Sequence, residues 1–402
     1  MMHFKKACLA AAWLGAALTG GAAQAQNTDT LILGISAPMS GAAATWGLGQ
    51  EWTAKQAARE INDAGGVKVG DKTYRFDVRA YDNKYNAAEG TKVAQNIVNR
   101  DKSRYVVGSI GTAPILALQS LTERNKVILF TSAWGKTVKG PSKPYTLTQA
   151  NTPFEILDPL YVYVKDKHPA IKTVVMLNPN DATGKETEPV AREAWEKLGV
   201  KVLSVNWYER GTTQFQPIAQ KLAAARPDVI DLGVTPPADA GVVFRELGVL
   251  GWDGVKVQPV GTGAAQLVDI GGKAADGVYM GFSGDYAGQQ ATPKQRELDA
   301  GMKKAVGESL NPLQLSAYDS VYALKAGMEA AQSIDPEQIL KVMPTIVFDT
   351  SYGKTAFGGA ATYGAPQQML VPIMITQIQD GKLVEVERVI PAELQQRLDA
   401  KR

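Results

Sequence analysis

Few side chains in this sequence could do covalent chemistry. Among 402 residues there is one cysteine, Cys8, and two histidines, His3 and His168. A nucleophile needs a base beside it, and His168 is the only imidazole beyond the N-terminal segment. It precedes Pro169 at the entry to a strand, has no second histidine for a metal site, and reads as a solvated loop residue. Asn180–Thr187 (NDATGKET) lies between a strand and a helix like a phosphate loop. It lacks the leading glycine, however, and Glu186 stands where a magnesium-binding Ser or Thr belongs. Gly108-x-x-Gly111 and Gly47-x-Gly49 do not complete a dinucleotide fingerprint. Glu186 and Glu188 share a polar helix face and read as solvated charge. No catalytic residue, metal ligand or cofactor is assigned, and the chain is not expected to be an enzyme. A secreted α/β hydrolase with an unrecognised site is the reading of a different class, and turnover of a bound ligand would separate the two.

Binding chemistry is better supplied. In Ser109-Ile110-Gly111-Thr112-Ala113-Pro114, Thr112 offers a hydroxyl where a strand turns into a helix. The helix start offers N–H groups without intrahelical partners, and Pro114 occupies a position where an N–H is not needed. A carboxylate there gains about 0.3–1 kcal/mol from the helix dipole, and up to about 2 kcal/mol when desolvated. The next strand ends in Thr131-Ser132-Ala133-Trp134-Gly135. Trp46 and Trp134, both on loops at strand ends, are suited to wall a flat or apolar ligand.

Alternating strands and helices must position these residues. Apolar runs at Thr30–Ser36, Tyr74–Tyr81, Tyr105–Gly108 and Val127–Phe130 alternate with helical spacing over Gln50–Ala64, Asn86–Arg100 and Pro114–Asn125. After a Gly-, Pro- and Ser-rich loop at Gly135–Tyr145 the pattern restarts, with strands at Thr173–Asn178, Lys201–Tyr208, Val229–Gly233 and Val255–Val260. Helices near Lys185–Leu198, Phe215–Ala225 and Ala238–Leu250 lie between them. Such alternation implies parallel sheets with crossover helices. Two similar blocks imply two α/β lobes. Open sheets of this kind bind ligands at the carboxyl ends of their strands, so two facing lobes make a cleft. Helices at Thr292–Val306 and Leu313–Ser333 and a hairpin around Asp380-Gly381 return to complete the lobes.

The N-terminus points to export. Lys5 and Lys6 precede an apolar stretch from Ala7 to Leu18, then Ala23-Gln24-Ala25, a small-x-small cleavage site. Cleavage before Gln26 would remove the only cysteine, so the mature chain could form neither disulfides nor a cysteine-based metal site. The formal charge of +3 falls towards zero once the two lysines leave. A nearly neutral, mixed surface offers no footprint for nucleic acid.

An ordered set of segments carries a resemblance. It comprises Ala37-Pro38-Met39-Ser40-Gly41, Trp46-Gly47, Ala58-x-Glu60-Ile61-Asn62-x-x-Gly65-Gly66, Tyr81-Asp82-Asn83, Val106-Val107-Gly108, Ile128-Leu129-Phe130-Thr131-Ser132-Ala133 and Tyr318-Asp319-Ser320-Val321. Together these resemble the leucine/isoleucine/valine-binding family of periplasmic substrate-binding proteins, over essentially the whole chain after the signal. The resemblance implies two Rossmann-like lobes joined by three crossovers, the type I periplasmic binding fold. It implies a periplasmic monomer that closes on a small molecule and delivers it to an inner-membrane ABC permease. A chemosensory adaptor with the same fold fits the same features. The first lobe is expected at 26–150 plus about 285–345, and the second at 151–284 plus about 346–402 with the C-terminal hairpin. Ligand contacts are expected from Trp46, Ser109, Thr112, Ala113, Ser132, Ala133 and Trp134 of the first lobe. Thr183, Thr235 and Thr262 are expected to close over the ligand from the second.

Departures from the family bear on the ligand. The resemblance implies a threonine where Gly135 stands, and a glutamate facing the ligand ammonium where Val260-Gly261-Thr262-Gly263 has no acid. Two family tyrosines are Thr183 and Thr235 here. A buried ammonium without a counter-charge costs several kcal/mol. A pocket of hydroxyls rather than charges therefore favours an organic acid, aromatic or otherwise, with Asp181 the one acid able to swing in. A branched-chain amino acid or a small amide is the alternative ligand.

Overall fold

The structure, a computed structural model, describes residues 28–400. The signal peptide read at 1–25 lies outside the described residues. The described strands make two sheets. The first holds β1 (Thr28–Ala37), β2 (Val67–Val69), β3 (Lys72–Asp82), β4 (Tyr105–Ser109), β5 (Ile128–Thr131) and β6 (Thr146–Thr148). The second holds β7 (Thr173–Pro179), β8 (Lys201–Tyr208), β9 (Val229–Asp231), β10 (Val255–Gln258) and β11 (Tyr279–Met280). Late strands are divided between them: β12 (Val347–Thr350), β13 (Gly353–Gly358) and β14 (Gln368–Met369) join the first, and β15 (Ile373–Gln379) and β16 (Lys382–Val389) join the second.

Both sheets are parallel at the centre and antiparallel at an edge. β1 lies between β3 and β4, and β5 between β4 and β6, all parallel. In the second sheet β7, β9, β10 and β11 run parallel in that order. Strands β4 and β5 are buried along their whole length because helices cover both faces, which is why they read as continuous apolar runs. The hairpin of β15 and β16 turns at Asp380-Gly381, both with positive φ (49° and 71°), a backbone suited to a two-residue turn.

Helix starts follow capping chemistry. Helix α1 spans Ala44–Asp63 and buries Trp46 and Gln50 against the sheet. Helix α2 (Ala87–Ala94) starts behind Asn86, whose side chain accepts from the Glu89 N–H, and continues as a π-helical turn over Gln95–Arg100. Helix α3 covers Thr112–Thr122. Helix α4 (Pro153–Lys167) carries a capping box of Thr152 and Glu155, and α5 covers Ala182–Lys197.

Three segments between strands of the two sheets join the lobes, around 149–152, 281–292 and 370–372. The lobe boundary expected near 346 needs correction. Residues 347–369 build three strands of the first sheet, and only from Ile373 does the chain belong to the second. Aromatic packing explains it: Phe357 stacks on Phe348 (5.5 Å between centroids) and meets Phe130 of β5 at 6.3 Å. These strands are short and rich in Gly and Thr, which hid their periodicity. The last helix, Ala392–Asp399, packs on β13, where Glu393 accepts the Gly359 N–H at 2.8 Å.

Asp319 ties the returning helix Pro312–Ala331 to the β12–β13 turn. Its carboxylate accepts the Ser351 N–H at 2.6 Å and the Ser351 hydroxyl at 2.9 Å, and it is 1% exposed. Burial pushes its pKa up to about 7. A carboxyl that binds its proton more tightly when folded contributes stability below its unfolded pKa and loses it as pH rises through the folded one. Urea unfolding should therefore show wild type losing stability relative to Asp319→Asn between about pH 4 and about pH 7. A pH-independent difference between the two proteins would contradict this.

Candidate functional site

Two helix N-termini, one from each lobe, meet at the cleft. Helix α3 begins at Thr112, two residues earlier than its spacing predicts, because Gly111 takes a φ of 97° as its N-cap. A side chain at Gly111 would also run into Pro114, 2.9 Å from an added Cβ. Helix α5 begins at Ala182, three residues earlier than predicted, because Asp181 caps it by accepting the Gly184 N–H at 2.9 Å. Thr112 and Thr183 thus stand in the first turns of two facing helices. Their hydroxyls are 2.8 Å apart, and both residues are essentially fully buried. Thr112 Oγ1 also accepts the Gly135 N–H at 3.1 Å.

The closed state carries further contacts between lobes. Glu186 of α5 accepts the Thr137 N–H at 3.0 Å and its hydroxyl at 2.6 Å. Arg210 ion-pairs with Asp181 and lays its guanidinium over the Tyr85 ring at 4.3 Å. Burial opposes that charge, yet Tyr85, Asp181 and Tyr208 around it outweigh the cost and keep Arg210 protonated. Beside the cleft, Trp134 meets Phe282 of the joining segment edge-on at 5.7 Å.

Three of the predicted residues share one cavity. Trp46, Tyr85, Ile110, Ser132, Trp134 and Leu313 line one narrow cavity. The Trp46 ring lies 6.4 Å from both Tyr85 and Trp134. The indole N–H groups of Trp46 and Trp134 are buried without a protein acceptor. Leaving a buried donor unmet costs about 1–3 kcal/mol, so both indoles favour a ligand acceptor.

Others of the predicted set do different work. Ser109 donates its hydroxyl to Phe130 O at 3.0 Å and accepts the Ser132 N–H through its carbonyl, so it joins strand ends. The Ala133 N–H donates to Thr131 Oγ1 at 3.0 Å. Ala113 follows Thr112 in the first turn of α3 and is partly exposed. Thr235 and Thr262 do not line the cavity. They are buried on the second-lobe side, where the Thr235 carbonyl accepts from Gln258 at 2.9 Å and the Thr262 hydroxyl has no partner. Gly135 has a steric cause: an added Cβ would stand 2.5 Å from Thr112 Cγ2 and 2.8 Å from a Glu186 oxygen. A threonine there is incompatible with this closure.

Some expectations need correction. Glu186 is an interlobe latch, and Glu188 is 6% exposed and paired with Arg192, so neither is merely solvated. His168 is half-buried at the end of α4, with Nε2 3.0 Å from the Tyr279 hydroxyl, and burial lowers its pKa. The cleft is not free of charge, since Arg210 reaches into it and holds Asp181 away from the role of substitute acid. Lys139, in the Gly-, Pro- and Ser-rich loop, is 6% exposed, with Nζ 4.3 Å from the Tyr363 ring centre; burial lowers its pKa to about 8.

Sequence reasoning missed Tyr85 and Arg210. Tyr85 reaches the cavity because Lys84 and Tyr85 both take positive φ, 45° and 56°. Asn83 compensates for this turn. Fully buried, it accepts the Tyr85 N–H at 2.9 Å and donates to Ser36 O and Ile110 O at 3.0 and 2.9 Å. The Tyr81-Asp82-Asn83 segment was the available signal. Arg210 lies in a loop after β8, where nothing local marks it. Among the described residues there is no cluster of three or more His, Cys, Asp or Glu able to hold a metal.

Two α/β lobes that close through helix N-termini over an aromatic cavity define an interlobe binding protein of the type I periplasmic fold. The chain belongs to the periplasmic binding protein family, whose model matches residues 30–382. A leucine-, isoleucine-, valine-, threonine- and alanine-binding protein of Pseudomonas aeruginosa is 23% identical over 85% of this chain and 89% of its own length. Two solved structures are similar in fold. A leucine binding protein from Thermotoga maritima has a TM-score of 0.76 at 19% identity, over 90% of this chain and all of its own. A solute binding protein of an R. palustris ABC transporter, in complex with 4-hydroxybenzoate, has a TM-score of 0.75 at 20% identity, over 90% of this chain and 97% of its own.

The Thr112–Thr183 contact should behave as a coupled pair. In a double-mutant cycle on unfolding free energy, Thr112→Val and Thr183→Val should show a coupling of about 1 kcal/mol. Strictly additive effects would mean that the two hydroxyls do not meet.

Proposed function

We propose that this protein captures a small carboxylate-containing molecule in its interlobe cleft and hands it to an inner-membrane ABC permease. The molecule is an organic acid with a flat, apolar body. The observation that carries this reading is the pair of buried indole N–H groups, on Trp46 and Trp134, that line one cavity and lack an acceptor. The N-termini of α3 and α5 converge beside it at Thr112 and Thr183. Each helix start carries partial positive charge, so their meeting favours an anion between the lobes. The six residues around the cavity include no carboxylate, which argues against an α-ammonium. The ligand found with the R. palustris protein, 4-hydroxybenzoate, is of that class.

In this mechanism the ligand docks first on the aromatic wall of the first lobe. The second lobe then brings Thr183, Glu186 and Arg210 across it. The ligand favours the closed state only by its extra contacts there. The permease reads the closed shape, and the ligand leaves unchanged. Export by residues 1–25, with cleavage before Gln26, places this work in the periplasm, and the protein acts as a monomer.

Thermal unfolding of residues 26–402 against a panel of small molecules tests the proposal. A ligand at a hundredfold excess over its Kd adds about 2.7 kcal/mol of stability, a clear rise in Tm. Aromatic carboxylates without an ammonium should raise Tm, and leucine and valine should not. A rise with leucine or valine alone would overturn the ligand class while leaving the receptor role in place.

A further inference from the structure

Counting protons around Ser132 says what the inner end of the cavity accepts. Ser132 lines the cavity and is 3% exposed. Its hydroxyl lies 3.0 Å from that of Ser316, on the returning helix Pro312–Ala331. Ser316 has one proton, which it donates to Leu313 O at 2.8 Å. Ser316 is therefore the acceptor in its contact with Ser132, as it is towards Gln149 Nε2 at 2.8 Å. The Ser132 proton is thereby committed to Ser316. Gln50 also donates to Ser132, at 3.4 Å, and its second amide proton goes to Leu313 O at 2.9 Å. After these bonds Ser132 has no proton left for the cavity and keeps one lone pair. An amide oxygen on each flank, Gln50 Oε1 and Gln149 Oε1, is buried without a donor, so the surroundings are short of protons.

We infer that Ser132 is a specificity-determining acceptor: the protein selects acids that carry a hydrogen-bond donor, such as a ring hydroxyl, on the part of the ligand that meets Ser132. This deepens the proposed function and rests on it. The two indoles offer protons and so take the acceptor groups of the ligand. Ser132 offers only a lone pair and takes a donor. A group that can only accept, placed against Ser132, would leave two lone pairs facing each other in a buried site. Ser316 acts on the ligand only through Ser132 and is a positioning residue.

Isothermal titration with matched benzoates tests this. Wild type should bind 3- or 4-hydroxybenzoate about tenfold more tightly than the fluorobenzoate of the same pattern, the worth of one buried hydrogen bond. Ser132→Ala should remove that preference while keeping the fluorobenzoate affinity. Ser316→Ala releases the Ser132 proton, so the gap between hydroxy- and methoxybenzoate should narrow relative to wild type. Ligand size cancels in that comparison, and a merely structural role for Ser316 would weaken both ligands alike. Equal binding of hydroxy- and fluorobenzoates to wild type would overturn the inference and leave the carboxylate reading standing. An unchanged hydroxy preference in Ser132→Ala would also overturn it. If no carboxylate bound, the proposed function itself would fall.

Discussion

The site depends on two helices from different lobes being aimed at one point. Helix dipoles that converge at their positive ends repel, and the hydroxyl pair of Thr112 and Thr183 bridges only 2.8 Å of that junction. The α5 end is partly neutralised by its own cap, Asp181, but Arg210 returns the charge by pairing with that carboxylate. The junction is thus buried, with two helix N-termini facing it. The aromatic wall beside it presents two unmet N–H groups, and the proposed carboxylate would answer both features at once.

The rest of the first lobe is built to hold this arrangement still. Asn83, buried at the end of β3, fastens the ends of β1 and β4 through Ser36 and Ile110 and supports the left-handed turn that delivers Tyr85. The Asp82 carboxylate accepts the Met39 and Lys84 N–H groups and the Ser40 hydroxyl on the same edge. Behind the cavity, Gln50, Ser132, Ser316 and Gln149 form a buried polar chain that reaches the first crossover. A closed lobe pair resting on such fixed strand ends can report occupancy by its shape.

Much of this was legible in the sequence because it rests on local patterns. Strand and helix alternation set out both sheets. Helix starts were placed late at Thr112 and Ala182 because their caps, Gly111 and Asp181, precede the apolar periodicity. Gly135 read as a missing hydroxyl, whereas its meaning is steric and depends on Glu186 from the other lobe. Arg210 gains its role only across the closed cleft, where it lies over the Tyr85 ring. The strands at 347–369 were misplaced for a similar reason, since Phe348 and Phe357 find their partners far away in sequence.

A ligand held as proposed sits against Trp46 and Trp134 and accepts their indole protons. Indole ¹H–¹⁵N resonances of residues 26–402, assigned with Trp46→Phe and Trp134→Phe, report this directly during titration with 4-hydroxybenzoate. The account predicts that these two signals move downfield to saturation while Trp195, buried in the second lobe and bonded to Asp231, stays nearly still. A titration in which the protein binds the acid, as judged by Tm, yet leaves both signals in place would contradict it.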